Sequence, residues 1–359
     1  FADLAGSADA GGLTGRNLVI NGAMQVAQRG DSTGVTSTGY YGPDRFKLTV
    51  SSIGTYSISQ STDAPSGFSH SYKLDCTTAD ASPAAGDFLV VYHFVEAQNT
   101  TAIKSGTSDA QPMTLSFWVK SNETGTYAMN IRQIDGGKFS NNTYTINAAD
   151  TWEKKTLTFP ANTADTITYD NTSGFQLEWW LDSGSNFKGG TSSTAWHTQD
   201  NTDRNADSTV AIADSTSNEW YITGVQLEVG DTATDFEHEP YDVTLQKAKR
   251  YYEQHNFGTT TSMYGGAQSS SRGECPFVYD VTKRANPTIS VNDRRAFRVN
   301  DWKGGDEQCS AFTSLETRPR QARLGFDKST SNLNVGYVIY MNREGAFGTD
   351  PILYIDAEL

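Results

Sequence analysis

Between positions 47 and 229 the chain repeats one texture: short runs that alternate apolar with polar residues and are rich in β-branched and aromatic side chains. KLTVSS, TYSISQ, HSYKLDC, DFLVVYHFVEA, MTLSFWVKS, TYAMNIRQ, NTYTINA, WEKKTLTF, GFQLEWWLD and EWYITGVQLEV are ten such runs. A period of two places alternate side chains on opposite faces of a strand, so each run reads as a half-buried strand. Turn clusters such as STDAPSG, SNETG and IDGGKFSNN separate them, as antiparallel connections require. No helical period interrupts the series, and no fixed-length repeat suggests a β-helix or a propeller. The fold class is therefore all-β, and the number and spacing of strands fit a two-layer jelly-roll sandwich.

Composition narrows the functional classes. The 28 lysines and arginines face 42 aspartates and glutamates, a formal charge of −14, which excludes a phosphate-binding groove and hence nucleic acid. The longest apolar run, FLVVYHFV at 88–95, is far short of the ~20 residues of a membrane-spanning helix, so no membrane insertion is expected. Aromatic residues at 11% argue against a disordered chain. Three cysteines without a CxxC pair point to neither a zinc knuckle nor a redox site, and at most one disulfide can form, with Cys275 and Cys309 the candidate pair. No signal peptide is visible, and a chain opening on Phe1 is expected to be a processed or truncated piece of something longer.

Four segments are expected. Residues 1–15, small and Gly/Ala-rich, read as a linker or the tail of an upstream segment. The jelly roll occupies 16–241. A linking helix at 242–256 follows Pro240, where DVTLQKAKRYYEQ places apolar residues at helical spacings. A second, smaller β-sandwich takes up 257–359. Leu245, Ala248 and Tyr252 would share one helix face, suited to an interdomain contact or a trimer axis.

Two sets of motifs bracket this organisation: NLVINGAMQVAQRG at 17–30 with GYYGPDRFKL at 39–48, and ITGVQLEVGDTATDFEHEPYDVTLQKAKRYYEQ at 222–254 with KRANPTISV at 283–291 and the final YIDAEL. Together they resemble a family of bacteriophage tail-fibre and virion-associated proteins whose jelly roll is like that of carbohydrate-binding modules. The resemblance implies a virion structural protein, usually a homotrimer, that sits among other phage proteins and attaches to a bacterial surface glycan. A decoration or adaptor subunit without a ligand, and a glycan hydrolase, are the rival readings.

The residues themselves point to recognition more than to catalysis. There is no GxSxG, HExxH or P-loop, and the five histidines lack metal spacing, so no enzyme activity is expected. Glu178 and Glu228 read as solvated sheet-face residues, and Asp44 and Arg45 as an ion pair pinning an edge strand that begins at NLVING. Sugars are bound by laying a ring face on Trp or Tyr while Asp, Asn and Gln take the hydroxyls. Trp179 and Trp180 must point to opposite faces, and alternation from Phe175 and Leu177 puts Trp179 in the core and Trp180 outside. Trp118 alternates with Leu115, Phe117 and Val119 and also falls on an outer face. Trp196 and His197 sit in a polar loop at 183–208 that is too long for an idle connection. The glycan candidates are thus Trp118, Trp180, Trp196 and His197, and replacing Trp180 or Trp196 should cost adsorption and little stability. Asp203, Asn205, Asp207 and Asp214 have the alternating spacing of a calcium loop without its glycine or final glutamate, a possible structural calcium site.

Overall fold

The structure is a computed structural model, and it describes residues 15–258, 262–301, 307–343 and 350–359. The proposed linker at 1–15 lies, but for Gly15, outside the described residues. The chain forms two compact units, one running through Leu245 and joined by Leu359, the other from Gln246 to Glu358.

The first unit holds thirteen strands: β1 (Ser32–Val35), β2 (Gly39–Tyr40), β3 (Phe46–Ser51), β4 (Thr55–Ser61), β5 (Ser71–Thr78), β6 (Phe88–Glu96), β7 (Met113–Ser121), β8 (Gly125–Gln133), β9 (Lys138–Ile146), β10 (Glu153–Phe159), β11 (Ser173–Ser183), β12 (His197–Thr198) and β13 (Glu219–Val229). Each of the ten alternating runs lies on one of them. They form a six-stranded sheet, β1-β4-β5-β13-β7-β10, and a seven-stranded sheet, β12-β9-β8-β11-β6-β3-β2, antiparallel throughout.

Alternation does what the pattern demands. Leu115, Phe117 and Val119 of β7, Trp220, Ile222 and Leu227 of β13, and Leu177 and Trp179 of β11 are fully buried in one core between the sheets. Phe117 meets Trp179 edge-on at 6.0 Å and Tyr144 at 5.1 Å, the offset geometry that aromatic quadrupoles favour.

NLVING departs from expectation, being a turn and not a strand. Two asparagines stitch it down. Asn17 accepts from the amides of Val19 and Leu227 and donates to the Val225 carbonyl. Asn21, at φ +63°, donates to the carbonyls of Val26 and Asp44 and accepts from the Val26 amide. These side chains take the bonds that a ladder would otherwise make, so the segment straps onto β13 without joining the sheet. Asp44 accepts from the backbone and side chain of Gln28, while the buried Arg45 donates to the Phe94 carbonyl.

Helix α1 spans Tyr241–Lys249 and ends well before residue 256. The Val243 and Thr244 amides of its first turn donate to the Pro240 carbonyl, and Lys247 and Lys249 sit favourably at its C-terminal end. The continuation Tyr252–Asn256 is a strand, β14, because pairing with the C-terminal strand satisfies its backbone better than two more helical turns. Leu245, Ala248 and Tyr252 therefore do not share a helix face. Ala248 and Tyr252 are covered within the chain itself, and Leu245 is half-buried.

The second unit continues with β15 (Met263–Ala267), β16 (Arg272–Val278), β17 (Thr288–Val291), β18 (Phe297–Asn300), β19 (Glu307–Gln308), β20 (Ala311–Thr317), β21 (Gln321–Asp327), β22 (Val338–Arg343) and β23 (Ile352–Asp356). These make a three-stranded sheet, β14-β23-β17, and a seven-stranded sheet, β19-β18-β22-β15-β16-β21-β20, over a shared core of Phe297, Leu324, Phe326, Ile339, Leu353 and Ile355. The edge strands β19 and β20 are separated by only Cys309 and Ser310. The Cys309 amide donates to Phe297 on one side and that of Ser310 to Asp327 on the other, so the sheet curls until its edges meet. The candidate pair is not bonded. Cys275 and Cys309 are both buried free thiols, Cys309 donating to the Ala311 carbonyl at 3.0 Å.

Candidate functional site

The long loop after β11 folds back over the outer face of the seven-stranded sheet. Trp180 does point away from Trp179, but Phe187 and Arg204 close over it and leave it fully buried in a satellite cluster with Val90, Tyr92 and Ala128. It is not a free platform. Glu178, beside it, is also wholly buried and not solvated. It accepts from Gln176 and from Trp180 Nε1 at 2.8 Å each, and from Arg204 Nη2 at 2.9 Å. Arg204 also donates to the Tyr92 hydroxyl at 2.9 Å and lies 4.8 Å over the Trp180 ring. A covering loop that supplies a cation to a buried acid is a structural device, and it explains the loop's length.

The remaining loop candidates are likewise absorbed. Trp196 packs on the main core beside Phe175, and its Nε1 donates to the Pro160 carbonyl at 2.7 Å. His197 is on β12 opposite Phe139, with Nδ1 2.9 Å from the Ala195 carbonyl. The four suggested calcium ligands are spent separately. Asp203 accepts from the Thr191 amide, Asp207 from that of Ser192, and Asp214 from the Asn218 side chain, while the buried Asn205 donates to Ser183. Spacing alone did not gather them: the three aspartates form no common ligand group.

Trp118 is the sequence candidate that the fold leaves on an outer face, that of the six-stranded sheet. At β13 a register shift around Gly224, φ +61°, bends the strand beneath it. A Cβ on Gly224 would stand 2.6 Å from the Phe68 ring and 3.0 Å from Trp118, so both rings converge over this glycine. Phe68 in turn meets Phe236 at 5.0 Å and His238 at 5.2 Å. Two residues along β7 from Trp118, Lys120 is paired with Tyr221, and its ammonium lies 4.3 Å from that ring's centre. Trp152, just before β10, meets Tyr221 edge-on at 6.1 Å. The result is a run of half-buried aromatic side chains across one sheet face, Phe68, Trp118 and Trp152, with Tyr221 beneath.

Charges are interleaved with these rings. Asp63 accepts from both Lys120 and Trp152 Nε1, and the Lys120 bond holds its carboxyl below the ordinary range. Glu219 accepts from Lys73 at 2.6 Å and from the Tyr221 hydroxyl at 2.5 Å. Burial pushes its carboxyl up, but these partners outweigh it and leave Glu219 low. Burial, then Glu219, raises the Tyr221 phenol. Lys73, Lys120 and Lys154, the last paired with Trp118, balance Asp63, Asp75 and Glu219 and leave the patch neutral within a chain of net charge −14. Such a surface offers ring faces for C–H groups and side-by-side donors and acceptors for hydroxyls.

Sequence reasoning missed Trp152, Tyr221 and Phe68. Tyr221 alternates with Trp220 and Ile222, so its outward direction was readable. Trp152 and Phe68 lie in turns, where no period reports direction. Glu228 also belongs to this face and is buried, because the segment after β13 folds over it and Thr234 donates to both its oxygens.

No protein-family model matches the chain, and no curated protein matches it. Solved structures similar to it include the enzymatically active domain of tailspike protein 4 of bacteriophage CBA120, 14% identical over 60% of this chain with a TM-score of 0.29. The chain spans 21% of that domain's length. A putative sugar binding protein from Bacteroides thetaiotaomicron is 13% identical over 59% of this chain and 99% of its own, with a TM-score of 0.33. The C-terminal family 22 carbohydrate-binding module of Clostridium thermocellum Xyn10B is 12% identical over 53% of this chain and 89% of its own, with a TM-score of 0.29.

Proposed function

We propose that this chain is a bacteriophage virion protein, acting as a homotrimer, that holds a bacterial surface glycan on the outer face of its six-stranded sheet without cleaving it. The observation that carries the reading is the neutral aromatic face of Trp118, Tyr221 and Trp152 with Lys120, Asp63, Lys73 and Glu219 set between the rings. The motifs bracketing positions 17–359 supply the virion context by resemblance. The two strand glutamates that the sequence singled out are spent, Glu178 on Arg204 and Glu228 on Thr234 and Gln226, so neither is the acid of a glycosidase. A glycosidase needs one carboxyl free to give up a proton at the sugar.

The test is affinity electrophoresis through gels containing extracted bacterial surface polysaccharides, comparing the intact chain with Trp118→Ala and Trp152→Ala. Each variant should lose about tenfold in affinity, some 1.4 kcal/mol, with its melting temperature nearly unchanged. Variants retarded as strongly as the parent, or a parent retarded by no surface polysaccharide, would sink the reading. Light scattering reads the oligomer, with three times 39.1 kDa expected.

A further inference from the structure

The second unit carries a cleft that no part of the preceding reading uses. It opens on the outer face of the curled seven-stranded sheet and has a volume of about 460 Å³, within the ~300–1,000 Å³ range of small-ligand sites. Its construction follows from strand alternation. Met263 and Ala267 of β15 face the core, so Tyr264 and Gly266 between them face outward. Gly266 is part of the lining, and a Cβ built on it meets no atom within 4 Å, which leaves open room above the sheet.

The walls are polar and paired. Glu274 of β16 lies 3.7 Å from Arg323 of β21, and Glu316 of β20 lies 3.0 Å from Arg318 in the turn that follows. The side chains of Arg323 and Arg318 are 57% and 65% exposed, so their remaining donors face solvent. Gln321 and Gln268 add amides, and Pro276 supplies an apolar edge. One step along β15, Tyr264 holds its ring 62% exposed on the same face.

We propose that this cleft is a second saccharide site, separate from the face in the first unit. Two glutamates and two arginines cancel, so the site attracts neither a free anion nor a cation by charge. What it offers is guanidinium and amide donors adjacent to carboxylate acceptors, and each hydroxyl of a vicinal diol both donates and accepts. The glycine floor lets a ring approach the backbone, and Tyr264 gives the next residue a stacking face. A neutral saccharide of one or two residues fits this chemistry.

The experiment is a microarray of bacterial surface saccharides probed with the full chain, with Gly266→Trp to fill the cleft, and with Trp118→Ala to disable the other face. Melting curves check that each variant is folded. Arg323→Gln, at an exposed side chain, stands in should Gly266→Trp not fold. The expected result is a set of spots that Gly266→Trp lowers at least tenfold and that Trp118→Ala leaves in place. An array on which filling the cleft changes no spot, a wholly silent array included, overturns the proposal. Spots lost only in Trp118→Ala would overturn it too while leaving the first-unit reading standing. A melting temperature that rises with protein concentration in the parent and not in Gly266→Trp would identify the cleft as a contact between copies instead.

Discussion

Replacing Arg204 by methionine tests how the first unit is closed. The guanidinium gives Nη2 and Nε to Glu178, Nη2 to Tyr92, and its face to Trp180. In Arg204→Met the apolar stem is kept, but Glu178, with no exposed side-chain surface, retains only Gln176 and Trp180 as donors. Removing one partner of a buried pair costs about 3–5 kcal/mol, since the other charge stays out of water. For a unit of this size that is a fall of roughly 6–20 °C in melting temperature, at about 2–4 °C per kcal/mol. Urea unfolding followed by tryptophan fluorescence reports it cleanly, because six of the seven tryptophans lie in the first unit. The double variant Glu178→Gln/Arg204→Met removes the stranded charge and keeps an acceptor for Trp180, so it should regain about 2 kcal/mol over the single. An Arg204→Met protein within about 1 kcal/mol of the parent, or a double no better than the single, would refute the covered-face account and return Trp180 to solvent.

Two shorter expectations follow from the same reasoning. Cys76, Cys275 and Cys309 are buried free thiols, and burial raises Cys275 and Cys309 to about 12, so the native chain should not react with a thiol reagent at neutral pH, while denatured protein should titrate three; a count of one would show the Cys275–Cys309 bond. Glu153 ties the turn after β9 through the amides of Asn147 and Ala148 and through Lys155, and although burial opposes them these bonds hold its carboxyl at about 2. A carboxyl that is lower when folded contributes stability above its unfolded value near ~4.3 and loses it as pH falls toward about 2, so the parent should weaken over that window and Glu153→Gln should show a shallower acid slope; equal slopes would contradict the assignment.

What was legible in the sequence, and what was not, divides along one physical line. A period of two fixes which way a strand residue points, and that much could be read: Trp179 inward and Trp180 outward, Leu115 and Phe117 inward and Trp118 outward, all as found. The same period sketched the ten runs that became strands. It gives no notice of what lies on top of an outward residue. Trp180 and Trp118 carry the same signal, yet the loop from 184 to 207 buries the first and, among the described residues, no comparable segment buries the second. Glu178 and Glu228 illustrate it with charge: both alternate outward, and both vanish beneath irregular segments that bring Arg204 and Thr234 to them.

The helix shows the complementary failure. Residues 250–256 carry spacing compatible with a helix, but YYEQHN also alternates well enough to pair, and the choice was made by β23, about a hundred residues away in the chain. Local pattern proposes, and a partner distant in sequence decides. Binding faces on sandwiches are chosen the same way. Both sheets of the first unit expose alternate residues to their outer sides, and the side that stays open is the one whose neighbouring loops are too short, or too engaged elsewhere, to cover it. On that argument the open aromatic face is the remainder left by the covering segments, which is why the aromatic turn residues Phe68 and Trp152, invisible to periodicity, help define it. Lengthening the turn that holds Trp152 by a few apolar residues should therefore close the face as effectively as removing its rings.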